Sequence, residues 1–173
     1  MKWSYLAGVA AAALLAGSAL AADIDNAKLE LAQKMGATSS INAKKDDLVS
    51  LVKKQTLDRG ADVVIEAAGT APGFRASVEA VRPGGEVIWL GKIDVQEGVA
   101  FRWGSLMQEK RIRRSSYGDA RPSRDFPMLA RAYLDGRLML VELITRRIRL
   151  DGINDGFSAL RSGQAIRSVV MFE

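Results

Sequence analysis

Short apolar runs and spaced apolar stripes alternate along this chain. Val63-Val64-Ile65 is continuous and apolar, bounded by Gly60 and by Ala67-Ala68-Gly69. Such a run predicts a strand over 61–67 that is buried on both faces. Glu86 to Leu90, set between Pro83-Gly84-Gly85 and Gly91, predicts a second strand. Between the two, Phe74, Val78 and Val81 share one face of a helix that Thr70 caps and Pro72 opens. Upstream, Leu29, Ala32 and Met35 form a helical stripe, with Asp25 or Asn26 as cap and Gly36 as stop. A short strand is expected over 38–42. The next helix contains Leu48, Leu51 and Val52, with Asp46 as its expected cap.

Downstream the pattern weakens. Val95 to Phe101 is expected as a short strand, Gly104 to Glu109 as a helical turn, and Arg111 to Tyr117 as a basic strand. Ser123 is the expected cap of a helix to Leu134 that turns Phe126, Leu129, Ala130 and Tyr133 inward, and Gly136 ends it. Residues 143–150 are expected to be extended, 151–161 helical, and 166–172 a terminal strand. Strands alternating with helices predict an α/β fold, with a parallel sheet flanked by helices. Small-residue turns at the carboxyl ends of such strands are where these sheets hold nucleotides.

Composition changes this picture mainly through what is missing. The 173 residues are 48% hydrophobic and 26% charged, ordinary for one globular domain. The net charge of +5 favours anions weakly and does not single out nucleic acid. The basic runs 110–114 and 146–149 have strand alternation and no interleaved aromatics, so no RNA-binding surface is expected. The chain has no Cys and no His. That excludes disulfides, zinc sites built on thiolate or imidazole, and Ser-His or Cys-His catalysis. No metal ligands and no catalytic residues are therefore assigned.

The first 22 residues resemble an export leader. Lys2 precedes an apolar stretch rich in Ala and Leu, and Ala19-Leu20-Ala21 has the small-x-small form of a signal peptidase site. On this reading residues 1–22 are removed, residues 23–173 form the domain, and the protein is exported or periplasmic; without a working signal it is cytoplasmic. The stretch is short and Ala-rich for a membrane span, so a membrane association is expected only through an uncleaved leader. A second reading makes Leu15 to Asp23 a helix end, a turn and a short strand that delivers an Asp. An apolar segment that is kept can then dock against the open sheet.

From Asp23 onward the text becomes familiar. Asp23-Ile-Asp-Asn-Ala-Lys-Leu-Glu-Leu-Ala32, Met35-Gly-Ala-Thr38, Gly60-Ala-Asp-Val-Val-Ile-Glu-Ala-Ala-Gly69, Arg82-Pro-Gly-Gly-Glu-Val-Ile-Trp-Leu-Gly91 and the stretch 153–170 follow one another in order. In this order and spacing the chain resembles the cofactor-binding half of zinc-dependent alcohol dehydrogenases, in the medium-chain dehydrogenase/reductase superfamily. The resemblance implies a Rossmann-like sheet, NAD as cofactor and hydride transfer between NAD and an alcohol or aldehyde. By position, Asp23 looks like the acid that receives the adenosine ribose hydroxyls, which favours NAD over NADP. Lys28 looks like the basic residue on the adenosine side. Ala67, Ala68 and Gly69 match the turn along the adenosine and ribose. Leu90 and Gly91 match the turn beside the nicotinamide ribose. Ser115 and Tyr117 fall where the carboxamide is met, and Arg167 looks like the arginine of the pyrophosphate. The bland readings are a helix-capping Asp, turn glycines and a solvated arginine.

The chain also departs from that family. Its zinc ligands belong to a part absent from this sequence, and no G-x-G-x-x-G turn occurs anywhere. Hydrogen bonds to charged groups contribute about 1.5–3 kcal/mol each, so losing two weakens NAD binding by roughly two to four powers of ten. The expected sheet is thus incomplete, lacking its first strand and glycine-rich turn. NAD binding is expected to be weak, and activity weak or nil for this chain alone. The alternatives are a non-catalytic exported binding or dimerisation module, and an enzyme completed by a separate zinc-bearing chain. Strands near 95–101 pair across a dimer in the family, so a homodimer is expected.

Overall fold

The structure is a computed structural model that describes residues 11–15, as backbone, and residues 18–172. The chain divides into two compact units that meet in sequence at Ser115 and Ser116.

The larger unit is a six-stranded sheet with helices on its faces. In chain order it contains β1 (Ala11–Leu15), β2 (Ser18–Asp23), α1 (Asn26–Lys34), β3 (Ser39–Asn42), α2 (Leu48–Gln55), β4 (Ala61–Glu66), α3 (Ala71–Ala80), β5 (Val81–Trp89) and β6 (Arg111–Arg114). The strand order is β3-β2-β1-β4-β5-β6. β2 is parallel to β3, and β4, β5 and β6 are mutually parallel. β1 is antiparallel to both β2 and β4, and Ala11 pairs with Ala22 on one side and Glu66 on the other. Residues 11–15 and 18–22 of the run that resembles an export leader are therefore parts of two strands of the sheet. β1 occupies the gap expected from the missing first strand, and it does so in reverse.

Side-chain alternation on β2 sorts the core onto two faces. Leu20 and Ala22 join Ile41, Val52, Ala61, Val64, Ala80, Val81 and Val87 under α2 and α3. Ala21 points the other way and packs with Leu29 and Ala32 of α1. Val63 and Ile65 are only half-buried, short of the burial on both faces that their run predicts. The described contacts of α1 are with β2 and β3, so it does not cover β4. Trp89 is fixed edge-on to Phe74 at 5.1 Å between centroids and stacked on Phe101 at 5.9 Å. Its indole N–H donates to Ser77 Oγ at 3.1 Å.

Caps follow local chemistry. Asp25 accepts the N–H of Ala27 and opens α1, while Thr70 accepts that of Gly73 and opens α3. For α2 the cap is Asp47 and not Asp46, because the Asp47 carboxylate takes the N–H groups of both Val49 and Ser50. The strand expected at 95–101 does not form. Asp94 instead draws the N–H of Gln96 into a turn, and Gln96-Glu97-Gly98 offers no apolar alternation to pair.

The smaller unit holds α4 (Pro122–Leu134), β7 (Arg146–Ile148), α5 (Ile153–Arg161) and β8 (Ser168–Val170), with β7 and β8 parallel. Ser123 does not cap α4. Its N-cap is Arg121, with Pro122 in the first turn, and the Asp125 carboxylate reaches back to the Arg121 N–H at 2.7 Å. Nor do Phe126, Leu129, Ala130 and Tyr133 turn inward; all four are exposed.

If β2 is a true core strand, Leu20→Ala must cost what a buried leucine costs. Leu20 is 1% exposed, and we expect a loss of about 2–5 kcal/mol in urea unfolding. An unchanged midpoint would mean that residues 18–23 are not part of the folded domain.

Candidate functional site at the carboxyl edge of the sheet

Because β2 through β6 run the same way, their last residues share one edge: Asp23, Asn42, Glu66, Trp89 and Arg114. One strand separates β2 from β4, so Asp23 and Glu66 lie roughly 10 Å apart across the sheet. Asp23 is 2% exposed. One carboxylate oxygen accepts the Asp25 N–H at 3.0 Å, and its carbonyl accepts the Ala43 N–H. Lys28, in the first turns of α1, is also buried, at 4% exposure.

Two turns close the middle of this edge. The first is Ala67-Ala68-Gly69 after β4, and the second is Leu90-Gly91 after β5. Glu66 joins them. Its carbonyl accepts the N–H groups of both Leu90 (2.8 Å) and Gly91 (3.0 Å). Its Oε1 accepts the Gly69 N–H at 2.9 Å. The turns touch so closely that neither glycine tolerates a side chain. A Cβ on Gly91 meets Glu66 Oε2 and the Gly69 backbone, and a Cβ on Gly69, which sits at φ +65°, meets the Lys92 backbone.

The Glu66 side chain is itself buried, and its Oε2 has no hydrogen-bond partner. Burial pushes its carboxyl above the usual carboxylate range. The N–H groups of Gly69, Ala68 and Thr70 pull the other way and do not outweigh burial. Beside it, Ser115 is buried and its N–H is bound to the Trp89 carbonyl at 3.0 Å, while an Arg114 guanidinium N–H reaches the Gly91 carbonyl at 3.3 Å.

Of the residues singled out in the sequence, Asp23, Lys28, Ala67, Ala68, Gly69, Leu90, Gly91 and Ser115 all lie in the larger unit, at or next to this edge. Tyr117 and Arg167 belong to the smaller unit. Tyr117 is 93% exposed, and the Arg167 carbonyl serves the N–H groups of Thr145 and Arg146 beside β7. The residue that sequence reading passed over is Glu66. Its signal was a lone acid ending an apolar strand, directly before three small residues.

A second concavity of about 370 Å³ in the same unit has Lys53, Glu79, Arg102 and Lys110 in its wall. Arg102 pairs with Glu79 at 3.0 Å, and the Lys110 ammonium donates to the Val78 carbonyl at 2.9 Å. Burial, then the Lys53 charge, lowers the Lys110 pKa from its usual value. Lys53 and Lys110 complement the carboxyl ends of α2 and α3, which accounts for them structurally.

The sequence model for zinc-binding dehydrogenases matches residues 5–134, so its span includes most of the apolar run. The chain is 32% identical over 148 residues to an L-threonine 3-dehydrogenase of Rhizobium johnstonii, an alignment that covers 86% of this chain and 42% of that protein. Its structure superposes on a benzyl alcohol dehydrogenase from Acinetobacter calcoaceticus with a TM-score of 0.83 at 27% identity, covering 89% of this chain and 42% of the other. An alcohol dehydrogenase zinc-binding domain protein from Burkholderia ambifaria gives 0.82 at 26% identity, covering 89% and 41%. The chain thus spans less than half the length of the proteins it matches, and its sheet is the Rossmann-like one of alcohol dehydrogenases. Its sequence and its fold agree: the chain belongs to the zinc-binding dehydrogenase family.

Proposed function

We propose that this chain is the NAD-binding portion of a dehydrogenase acting on an alcohol, and that it holds the adenosine side of the cofactor at the carboxyl edge of the sheet. The observation that carries this reading is Asp23, a buried carboxylate ending β2 at the carboxyl edge with one oxygen committed to the Asp25 N–H, the residue type and position suited to ribose hydroxyls. The closely packed glycine turns support it, since Gly69 and Gly91 let the two turns close on each other at the same edge. Lys28 supplies a positive charge on the adenosine side. When bound, NAD would supply the hydride acceptor for alcohol oxidation; this chain's part would be to hold and orient it through Asp23, Lys28 and the turns 67–69 and 90–91.

The fit is partial. No glycine-rich turn for the pyrophosphate exists in this sequence, so affinity is weak. Zinc does not fit at all. The chain has no Cys or His, and no cluster of acids able to hold a metal occurs among the described residues. We therefore derive no zinc-dependent step from this chain. Alcohol chemistry requires ligands from outside it, and a separate zinc-bearing chain is the partner this reading calls for. A homodimer is the second association we propose.

The other reading is a non-catalytic module exported by its apolar leader. The burial of Leu20, Ala21 and Ala22 favours retention of these residues in the fold. Mass spectrometry of the mature protein should find residues 18–22 present. A mature start at Ala22 or Asp23 would instead favour export.

Titration of the folded chain with NADH tests the main reading, with energy transfer from Trp89 and Trp103 to the nicotinamide as readout. We expect saturable binding that is weakened at least tenfold by Asp23→Ala, the loss of about 1.4 kcal/mol. A folded chain that shows no binding would refute the cofactor role. Sedimentation of the same samples, alone and with zinc-bearing candidates, should show a dimer or a mixed complex; a monomer under all conditions counts against both associations.

A further inference from the structure

Glu66 is more than a strand end. Its main chain and side chain together make three hydrogen bonds that cross to, or close, the two turns of the cofactor edge. Three glycines surround its carboxyl, and a Cβ on any of them would run into it directly or into the turn it braces. On Gly91 the Cβ meets Oε2, on Gly73 it comes within 2.7 Å of Oε1, and on Gly69 it meets the Lys92 backbone that faces the same turn. The carboxyl thus occupies a space shaped by missing side chains. A shorter side chain leaves that space empty and removes the Gly69 N–H acceptor, while the main-chain bonds to Leu90 and Gly91 remain.

The electrostatics fit this placement. Oε2 is buried and without a partner. The charged groups on the elements around Glu66 are Arg82 and Glu86 on β5 with Lys92 after it, Arg111, Arg113 and Arg114 on β6, and Arg75 and Glu79 on α3; Arg82 pairs with Asp62 and Arg113 with Glu86. Arg114 is turned to the Gly91 carbonyl, and Glu79 is paired with Arg102. None of these charges contributes to the Glu66 shift, whose leading cause is burial. A buried carboxylate without a cation is costly, so the fold favours the neutral acid.

We propose that Glu66 is a positioning residue for the cofactor edge, its carboxyl setting the spacing of the turns 67–69 and 90–91. The inference rests on the NAD reading only for its effect on nucleotide affinity. The sign of the linkage follows from the direction of the shift. The folded chain holds the Glu66 proton more tightly than the unfolded chain, whose value is about 4.5. The contribution to stability is complete below that pH. It is lost as pH rises toward the folded value, and the penalty is constant above it.

The test compares the full chain with Glu66→Gln, Glu66→Asp and Glu66→Ala by three measurements. Glu66→Gln keeps the shape and removes the titration. We expect its stability advantage over the natural chain to grow as pH rises above about 4.5 and then to level off. A difference between the two that does not vary with pH would overturn the buried, unpartnered placement of the carboxyl from which this linkage is argued. Amide exchange at Gly69, Leu90 and Gly91 should be at least about tenfold faster in Glu66→Ala and Glu66→Asp, and near natural in Glu66→Gln. Unchanged exchange in the shortened variants would overturn the positioning role. If Glu66→Ala does not fold, the Asp and Gln variants decide. NADH affinity should fall at least about tenfold in the shortened variants and be retained in Glu66→Gln. Equal affinity in all four chains would overturn the coupling to the cofactor edge. If even the natural chain fails to bind NADH, the NAD reading falls, while exchange and the pH profile still judge Glu66.

Discussion

The pairing of β1 with both of its neighbours is the constraint on which the sheet depends. In the order β3-β2-β1-β4-β5-β6, no other strand joins the pair β2–β3 to the trio β4–β5–β6. Five residues of β1 pair with β2 and four with β4. Without β1, two strands rich in apolar residues would present unpaired edges to each other. The cluster that runs from Leu20 and Ile41 to Val64 and Val87 would lose the backbone frame holding its two sides in register. Everything at the carboxyl edge is positioned by this joint, because it sets Asp23 relative to Glu66.

Much of this architecture was legible in the chain. The run Val63-Val64-Ile65, the caps Asp25 and Thr70 and the breaks at Gly36 and Gly136 are local chemistry, and local chemistry survives folding. What was not legible depends on partners far away in sequence. Ala11 to Leu15 is Ala- and Leu-rich and carries no strand signal of its own; it becomes a strand because two open edges flank it. Val95 to Phe101 has strand-like residues at its ends but pairs with no strand among the described residues, and Asp94 turns it aside. The inward face assigned to α4 failed for a related reason. A helical stripe states which residues share a face, and says nothing about whether the small unit has enough substance to cover it.

The site divides in the same way. The placement of Asp23, Gly69 and Gly91 at the edge was visible because it follows from residue type at the end of a strand. Glu66 was not, because its role lies in the space between two turns. That space exists only once Gly69, Gly73 and Gly91 have been brought around it. An acid at the end of an apolar strand is ordinarily solvated, and the sequence alone does not distinguish that case from a buried brace.

The reversed direction of β1 also bears on why a pyrophosphate site is hard to build here. In a parallel strand at this position, the chain would leave the sheet at the carboxyl edge and turn directly into a helix whose N-terminus faces the ligand. β1 runs the other way, with Ala11 at that edge and Leu15 at the opposite one, and only residues 16 and 17 separate it from β2. No turn after β1 can therefore present N–H groups to a phosphate at the cofactor edge. The helix that does start beside Glu66, α3, has Pro72 in its first turn and its Gly73 N–H directed to the Thr70 hydroxyl, and the turn before it is bound to Glu66. The strand that completes the sheet thereby removes the position from which the phosphate-binding turn would act. On the proposed NAD reading, weak binding would follow from topology as much as from the missing glycines, and restoring the glycine pattern without reversing β1 would not recover the affinity.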